Sequence, residues 1–196
     1  MVSINIPIRS LFITQRASWE ILSRSAMKPK KSIPHQSTMD LTRRIGMLAL
    51  SLSVPLIIGA IAGTATPSSV GTWYASLNAP SFSPPSWVFA PVWTALYLIM
   101  GYSFYRIWRK ERSQIRTIAM AVYGIQLLLN FCWTFIFFYF KHIGGALAEI
   151  VVLWAAIAFM ITSFYKIDRT AALLNLPYLI WVTFATALTA GYYFIN

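Results

Sequence analysis

Three stripes of side chains in this chain have the types and spacing needed to hold a flat organic molecule. Tyr123, Gln126, Asn130, Trp133, Thr134 and Phe137 recur at three- and four-residue steps, so a helix would carry them on one face. Tyr178, Trp181, Ala185, Leu188 and Tyr192 repeat the pattern, and Phe89, Trp93 and Tyr97 add a third stripe. The chemistry on offer is non-covalent: aromatic faces stack on conjugated rings, and amides orient them by hydrogen bonds. Ala185 lies one turn beyond Trp181 and leaves room beside a large ring. The same stripes also suit a packed core, and Gln126 and Asn130 also suit hydrogen bonding between helices, at about 0.6–2 kcal/mol per contact.

The sequence gives no positive support for a conventional enzyme. It contains no Ser/His/Asp arrangement, no cluster with metal-ligand spacing and no phosphate-binding glycine loop. Cys132 is the lone cysteine, so no intrachain disulfide is expected. Glu149 is the one carboxylate inside an apolar segment, which suits a proton-coupled step or a helix-positioning hydrogen bond. It stands only about 8 Å from the start of that segment at 1.5 Å per residue, so solvation or pairing with Lys141 is an equal expectation.

Long apolar helices must position these stripes. Apolar residues make up 58% of the 196 residues and charged residues 11%, against about 45–50% and about 25% in soluble domains. Five segments, roughly 45–65, 87–108, 118–140, 144–165 and 171–194, reach the length of about 20 residues that crosses a bilayer. They are too long and too continuously apolar for barrel strands, so the fold predicted is an all-α membrane protein, a five-helix transmembrane bundle. Gly59 and Gly63 in the first segment have the spacing that lets another helix approach closely. Between the first two segments, residues 73–93 pack three tryptophans and four prolines without a charge. Proline fixes the backbone and the rings seek apolar contact, so this bridge reads as a semi-rigid lid at the membrane interface, over a cavity.

Charge placement gives an orientation. Arg43, Arg44, Arg106, Arg109, Lys110, Arg112, Arg116, Lys166 and Arg169 fall on one side of the five spans and only Lys141 on the other, which predicts an inside N-terminus and an outside C-terminus. The net charge of +11 thus reflects topology and targeting. No RNA-binding aromatic or glycine pattern accompanies it, and nucleic acid is not an expected partner. Residues 1–38 are basic, serine-containing and poor in acids, with Glu20 alone against Arg9, Arg16, Arg24, Lys28, Lys30 and Lys31. They read as an organelle-targeting leader, or as sequence upstream of a true start at Met39, and residues 39–196 as the membrane domain.

Three motifs carry a family resemblance. Trp73-Tyr74 with Pro80 to Tyr97, then Gln126 to Trp133 around Asn130, then Pro177 to Thr186 around Trp181 and Ala185, occur in order along the hydrophobic chain. Over about residues 40–196 the chain resembles the translocator protein family, also called tryptophan-rich sensory proteins or peripheral benzodiazepine receptors. The resemblance implies a five-helix bundle, often a homodimer, that binds porphyrins, sterols and synthetic fused-ring ligands, in a bacterial inner membrane or an organelle membrane with lipid as its surroundings. Its ligand contacts map to Tyr74, Trp93, Asn130, Trp181 and Ala185. Trp73, Pro84, Pro85, Phe89, Tyr97, Gln126, Trp133 and Tyr178 are further candidates for the pocket or its lid, while Trp87 and Trp108 suit interfacial anchors.

The implied role is a sensor, receptor or carrier for tetrapyrroles; promotion of porphyrin breakdown, and sterol or lipid binding and transport, are the alternatives. No cofactor is expected to be obligatory. His35 and His142 lie outside the spans, so axial haem ligation by histidine is not expected, whereas a metal-free porphyrin, or haem held without ligation, remains open. The cholesterol motif of animal members is not completed in Tyr192-Tyr193-Phe194-Ile195-Asn196, and Leu98, Tyr102 and Arg106 fit the loose pattern as a chance match would.

Overall fold

A computed structural model describes residues 35–64 and 73–196. The leader expected over residues 1–38 lies outside the described residues except for the backbone at its last positions. The helix packing, the cavity and the bridge all belong to the compact unit Thr42–Asn196.

The helices are α1 (His35–Thr64), α2 (Phe89–Trp108), α3 (Gln114–Thr134), α4 (Ile143–Tyr165), a short α5 (Arg169–Leu173) and α6 (Leu176–Ile195). A 3₁₀ turn, Ser86–Val88, leads into α2, and a π-helical turn, Phe135–Tyr139, continues α3. Among the described residues, five stretches are long and apolar enough to cross a membrane: Asp40–Thr64, Ser86–Trp108, Gln114–Tyr139, Ile143–Tyr165 and Arg169–Ile195. The chain is an integral multi-pass membrane protein with an all-α, five-span architecture.

Local chemistry explains where the ends depart from hydropathy. The third span starts at Gln114, earlier than its apolar run, because Ser113 Oγ accepts the Arg116 N–H at 3.3 Å and caps the helix. The fifth span begins as α5 and is interrupted before Pro177, which has no N–H to continue the helical ladder. Asn175 fills the break: its Nδ2 donates to Ala171 O at 2.8 Å and to Ser103 Oγ at 2.6 Å. Ser103 Oγ also donates to Ala171 O at 2.8 Å, which ties α5 to α2.

The core lies among α2, α3, α4 and α6, where Met100, Tyr123, Ile157 and Tyr178 are buried. Trp154 Nε1 donates to Thr183 Oγ1 at 2.8 Å and links α4 to α6. α1 joins through small residues on either partner. A Cβ on Gly101 of α2 would stand 2.5 Å from Ser51 O and 2.9 Å from Leu52 Cα, and one on Gly59 of α1 would strike the Tyr97 ring. Elsewhere α1 presents Leu50, Val54, Ile57 and Ile61 outward.

The end of the bundle carrying Arg106 is held by one carboxylate. Asp168 caps α5 by accepting the Ala171 N–H at 3.0 Å, receives Arg106 through Nη2 at 3.1 and 3.0 Å, and pairs with Lys110 Nζ at 3.0 Å. Burial alone would raise its pKa, but the Ala171 N–H and the Lys110 and Arg106 cations outweigh burial and hold it at about 2. Arg116 Nη2 donates to Trp108 O at 2.7 Å and its Nε to Ile107 O at 3.3 Å, closing the C-terminus of α2. Arg106, Lys110 and Arg116 are therefore engaged in specific contacts as well as contributing to the charge bias. Trp108 is half-buried and packs on Phe104, with centroids 6.0 Å apart, whereas Trp87 is 72% exposed.

The opposite end is strapped by the bridge. Pro80 is buried against Gly191, and Phe82 meets Phe184 edge-on at 6.4 Å. The Asn78 N–H donates to Asn196 Oδ1 at 2.8 Å, and Asn196 Nδ2 donates to Asn78 O at 3.1 Å.

Candidate ligand cavity

A cavity of about 660 Å³ is lined by α1, α2, α3 with its π turn, α6 and the bridge. This falls inside the range of about 300–1,000 Å³ typical of small-molecule sites. α4 supplies none of the lining residues; it backs the other helices.

The polar floor is a closed chain of hydrogen bonds. Tyr97 donates to Asn130 Oδ1 at 2.8 Å, Asn130 Nδ2 donates to Tyr178 Oη at 3.2 Å, and Tyr178 donates to Gln126 Oε1 at 2.9 Å. Gln126 Nε2 ends 4.0 Å from Met100 Sδ. Buried amides are tolerated here because each finds a partner on another helix. Gln126 and Asn130 thus divide: Asn130 reaches the cavity, whereas Gln126 and Tyr178 lie beneath it.

Aromatic rings build the walls. Trp93 stacks on Tyr97 with centroids 5.6 Å apart and meets Tyr178 edge-on at 6.3 Å. Phe89 meets Trp181 edge-on at 5.9 Å, and Trp133 stacks on Phe137 at 5.2 Å. Each large ring is held by another ring, so its orientation is set before any ligand arrives. The small residues Gly59, Ala60, Gly63 and Ala185 keep the space between the rings open. At the bridge end, the Tyr192 hydroxyl donates to Tyr74 Oη at 2.8 Å. Burial pushes the Tyr74 phenol well above its ordinary range. The indole N–H groups of Trp133 and Trp181 are buried with no hydrogen-bond partner among the described residues.

All five residues mapped by resemblance, Tyr74, Trp93, Asn130, Trp181 and Ala185, line this one cavity, together with Phe89, Tyr97 and Trp133. Trp73 stands behind the wall, edge-on to Phe137 at 5.9 Å. Pro84 and Pro85 are off the wall and lead into Ser86, which is on it. The contribution of α1 is not legible in the sequence, where Gly59 and Gly63 read only as a small-residue stripe. Phe138 reaches the lining because the π turn widens the helix there. Glu149 is neither solvated nor paired with Lys141. Both its oxygens are buried without a partner among the described residues, and the Lys141 ammonium lies over the Trp73 ring instead.

Comparison with known proteins agrees with the order of elements. The TspO/MBR family profile matches residues 51–194. The chain is 34% identical over 152 residues to the tryptophan-rich protein TspO of Chlorobaculum tepidum, covering 76% of this chain and 94% of that one. It is 39% identical over 140 residues to the tryptophan-rich sensory protein of Cereibacter sphaeroides, covering 71% and 87%. The translocator protein of Homo sapiens is 38% identical over 118 residues, covering 59% and 70%. With the matched region running from within α1 to the end of α6 and taking in every helix around the cavity, the chain belongs to the TspO/MBR family.

Proposed function

We propose that the protein binds porphyrin-type tetrapyrroles and related flat hydrophobic molecules within the membrane, and acts as their sensor, receptor or carrier. The observation that carries this reading is that Trp93 and Trp181, from different helices, line one cavity in which Ala185 leaves an open slot. Flat walls favour a conjugated ring, because stacking adds about 0.5–1.5 kcal/mol per aromatic pair beyond buried area. The names of the relatives, a sensory protein and a translocator protein, accord with the same reading. The basic end faces the inner side on this reading, because the nine-to-one charge bias favours it.

A protoporphyrin titration of the detergent-solubilised protein, followed by tryptophan quenching, tests the site. Trp181→Ala lowers affinity about tenfold or more by removing a stacking wall, and Ala185→Leu lowers it by filling the slot. Helical content persists in both. Equal affinity in wild type and both variants would place the ligand elsewhere. Running the titration in light and in darkness separates binding from chemistry: reversible recovery of unaltered pigment supports a binder, and a new spectral product lost in Trp181→Ala would assign breakdown.

A further inference from the structure

The bridge end of the bundle has one cationic side chain. Residues 65–86 and 193–196 contain no charged side chain, and Lys141 stands alone in the turn between α3 and α4. With no other side-chain charge in these segments, Lys141 is the feature of that end able to attract an anion at a distance.

Its position is imposed by the fold. The π turn closes with the Phe140 N–H on Phe135 O at 2.9 Å and the His142 N–H on Ile136 O at 3.1 Å. Lys141, between them, takes a φ of 55°, a left-handed conformation that favours glycine or asparagine. A lysine at such a position is a backbone outlier of the kind that gathers at functional sites. Its Nζ forms no ion pair among the described residues and lies 5.9 Å from the Trp73 ring centroid. The Trp73 ring rests edge-on against Phe137, which is on the cavity wall, as is the neighbouring Tyr74. An exposed cation over a ring is held weakly enough to move to a better partner.

We propose that Lys141, which does not itself line the cavity but stands beside Trp73 behind its wall, is a carboxylate-binding subsite for an acid arm extending past the bridge end, which makes the protein prefer flat ring ligands bearing acid side chains over their neutral esters. This rests on the binding function proposed above. A carboxylate and an ester carbonyl both accept hydrogen bonds, whereas an ammonium separates the two by charge.

The test compares protoporphyrin with its dimethyl ester, titrated against the full chain in detergent by tryptophan quenching. In Lys141→Gln the dissociation constant for the diacid rises about tenfold and that for the ester is unchanged, and Lys141→Arg restores diacid binding. Lys141→Gly, which suits the left-handed backbone, gives the same loss as Lys141→Gln and guards against a folding artefact. Added salt weakens diacid binding by the wild type and has little effect on Lys141→Gln. Unchanged diacid affinity in Lys141→Gln overturns the subsite while leaving the cavity reading intact. An equal loss for diacid and ester overturns it too, making Lys141 a prop for Trp73. Failure of the wild type to bind either compound would remove both the subsite and the function on which it rests.

Discussion

At the end of the bundle carrying Arg106, one carboxylate gathers two cations and a backbone N–H; at the end carrying Trp73, rings meet rings around an open volume beside a single cation. The first arrangement is satisfied within the chain and fixes α2 and α5 to one another. The second leaves volume unfilled, a state that costs packing energy unless a ligand supplies the missing contacts. Stability and binding are therefore segregated along the bundle axis, and each end can be perturbed while the other is observed.

The largest effect is expected at Asp168. Asp168→Ala leaves Arg106 and Lys110 without their carboxylate and α5 without its cap, and should cost about 3 kcal/mol of stability. That figure sits at the low end for a broken pair because the Arg106 and Lys110 side chains are 31% and 45% exposed. Thermal unfolding followed by circular dichroism in detergent reads it, and porphyrin affinity of the folded fraction should not move. A larger change in affinity than in stability would break the segregation.

The same carboxylate sharpens the comparison through pH. Its folded pKa of about 2 lies below the ordinary 3.8. Its contribution, roughly 2 kcal/mol at 1.36 kcal/mol per unit, is thus complete above about pH 4 and is lost as pH falls through about 2. Unfolding curves of wild type and Asp168→Ala should converge across that window, and parallel curves would refute the assignment.

A smaller effect should cross between the two ends. Gly101→Ala drives a methyl group into Ser51 O, a backbone atom that cannot swing aside, so α1 must shift. Overpacking of this kind costs about 1–3 kcal/mol, and because α1 is a cavity wall, affinity should fall together with stability. Gly124→Ala, where nothing stands within 4 Å of the new methyl, is the matched control and should change neither. Tyr97→Phe removes the donor to Asn130 Oδ1 and should cost about 1 kcal/mol. Trp87→Ala should be the weakest, within about 0.5 kcal/mol and without effect on affinity, because the ring is 72% exposed and off the cavity wall.

The spans are legible in the sequence because hydropathy and length are properties of one segment at a time, and the stripes on α2, α3 and α6 because helical periodicity is local. Features that depend on a partner are not. Gly59 looks the same in sequence whether its neighbour is another chain or Tyr97. Arg106 and Lys110 enter a topology count identically whether solvated or bound to Asp168, so that cluster leaves no mark in the pattern of charges. Phe135–Tyr139 contains nothing that announces a π turn, and proximity along the chain pairs Lys141 with Glu149, although the turn aims it at Trp73.

A π-helical turn is, in geometry, an α-helix that has absorbed one residue too many. The turn Phe135–Tyr139 therefore takes up the extra residue locally, without changing the phase of the segment beyond it. Deleting one position within Phe135–Tyr139 would relax the turn to ordinary helix and leave the segment beyond it in phase, so Lys141 should keep its place near Trp73 while the widened stretch that brings Phe138 to the wall is lost. Deletion of one codon at the turn is thus a route by which the cavity wall can be trimmed while the register of the chain beyond it and the anchored end of the bundle are kept.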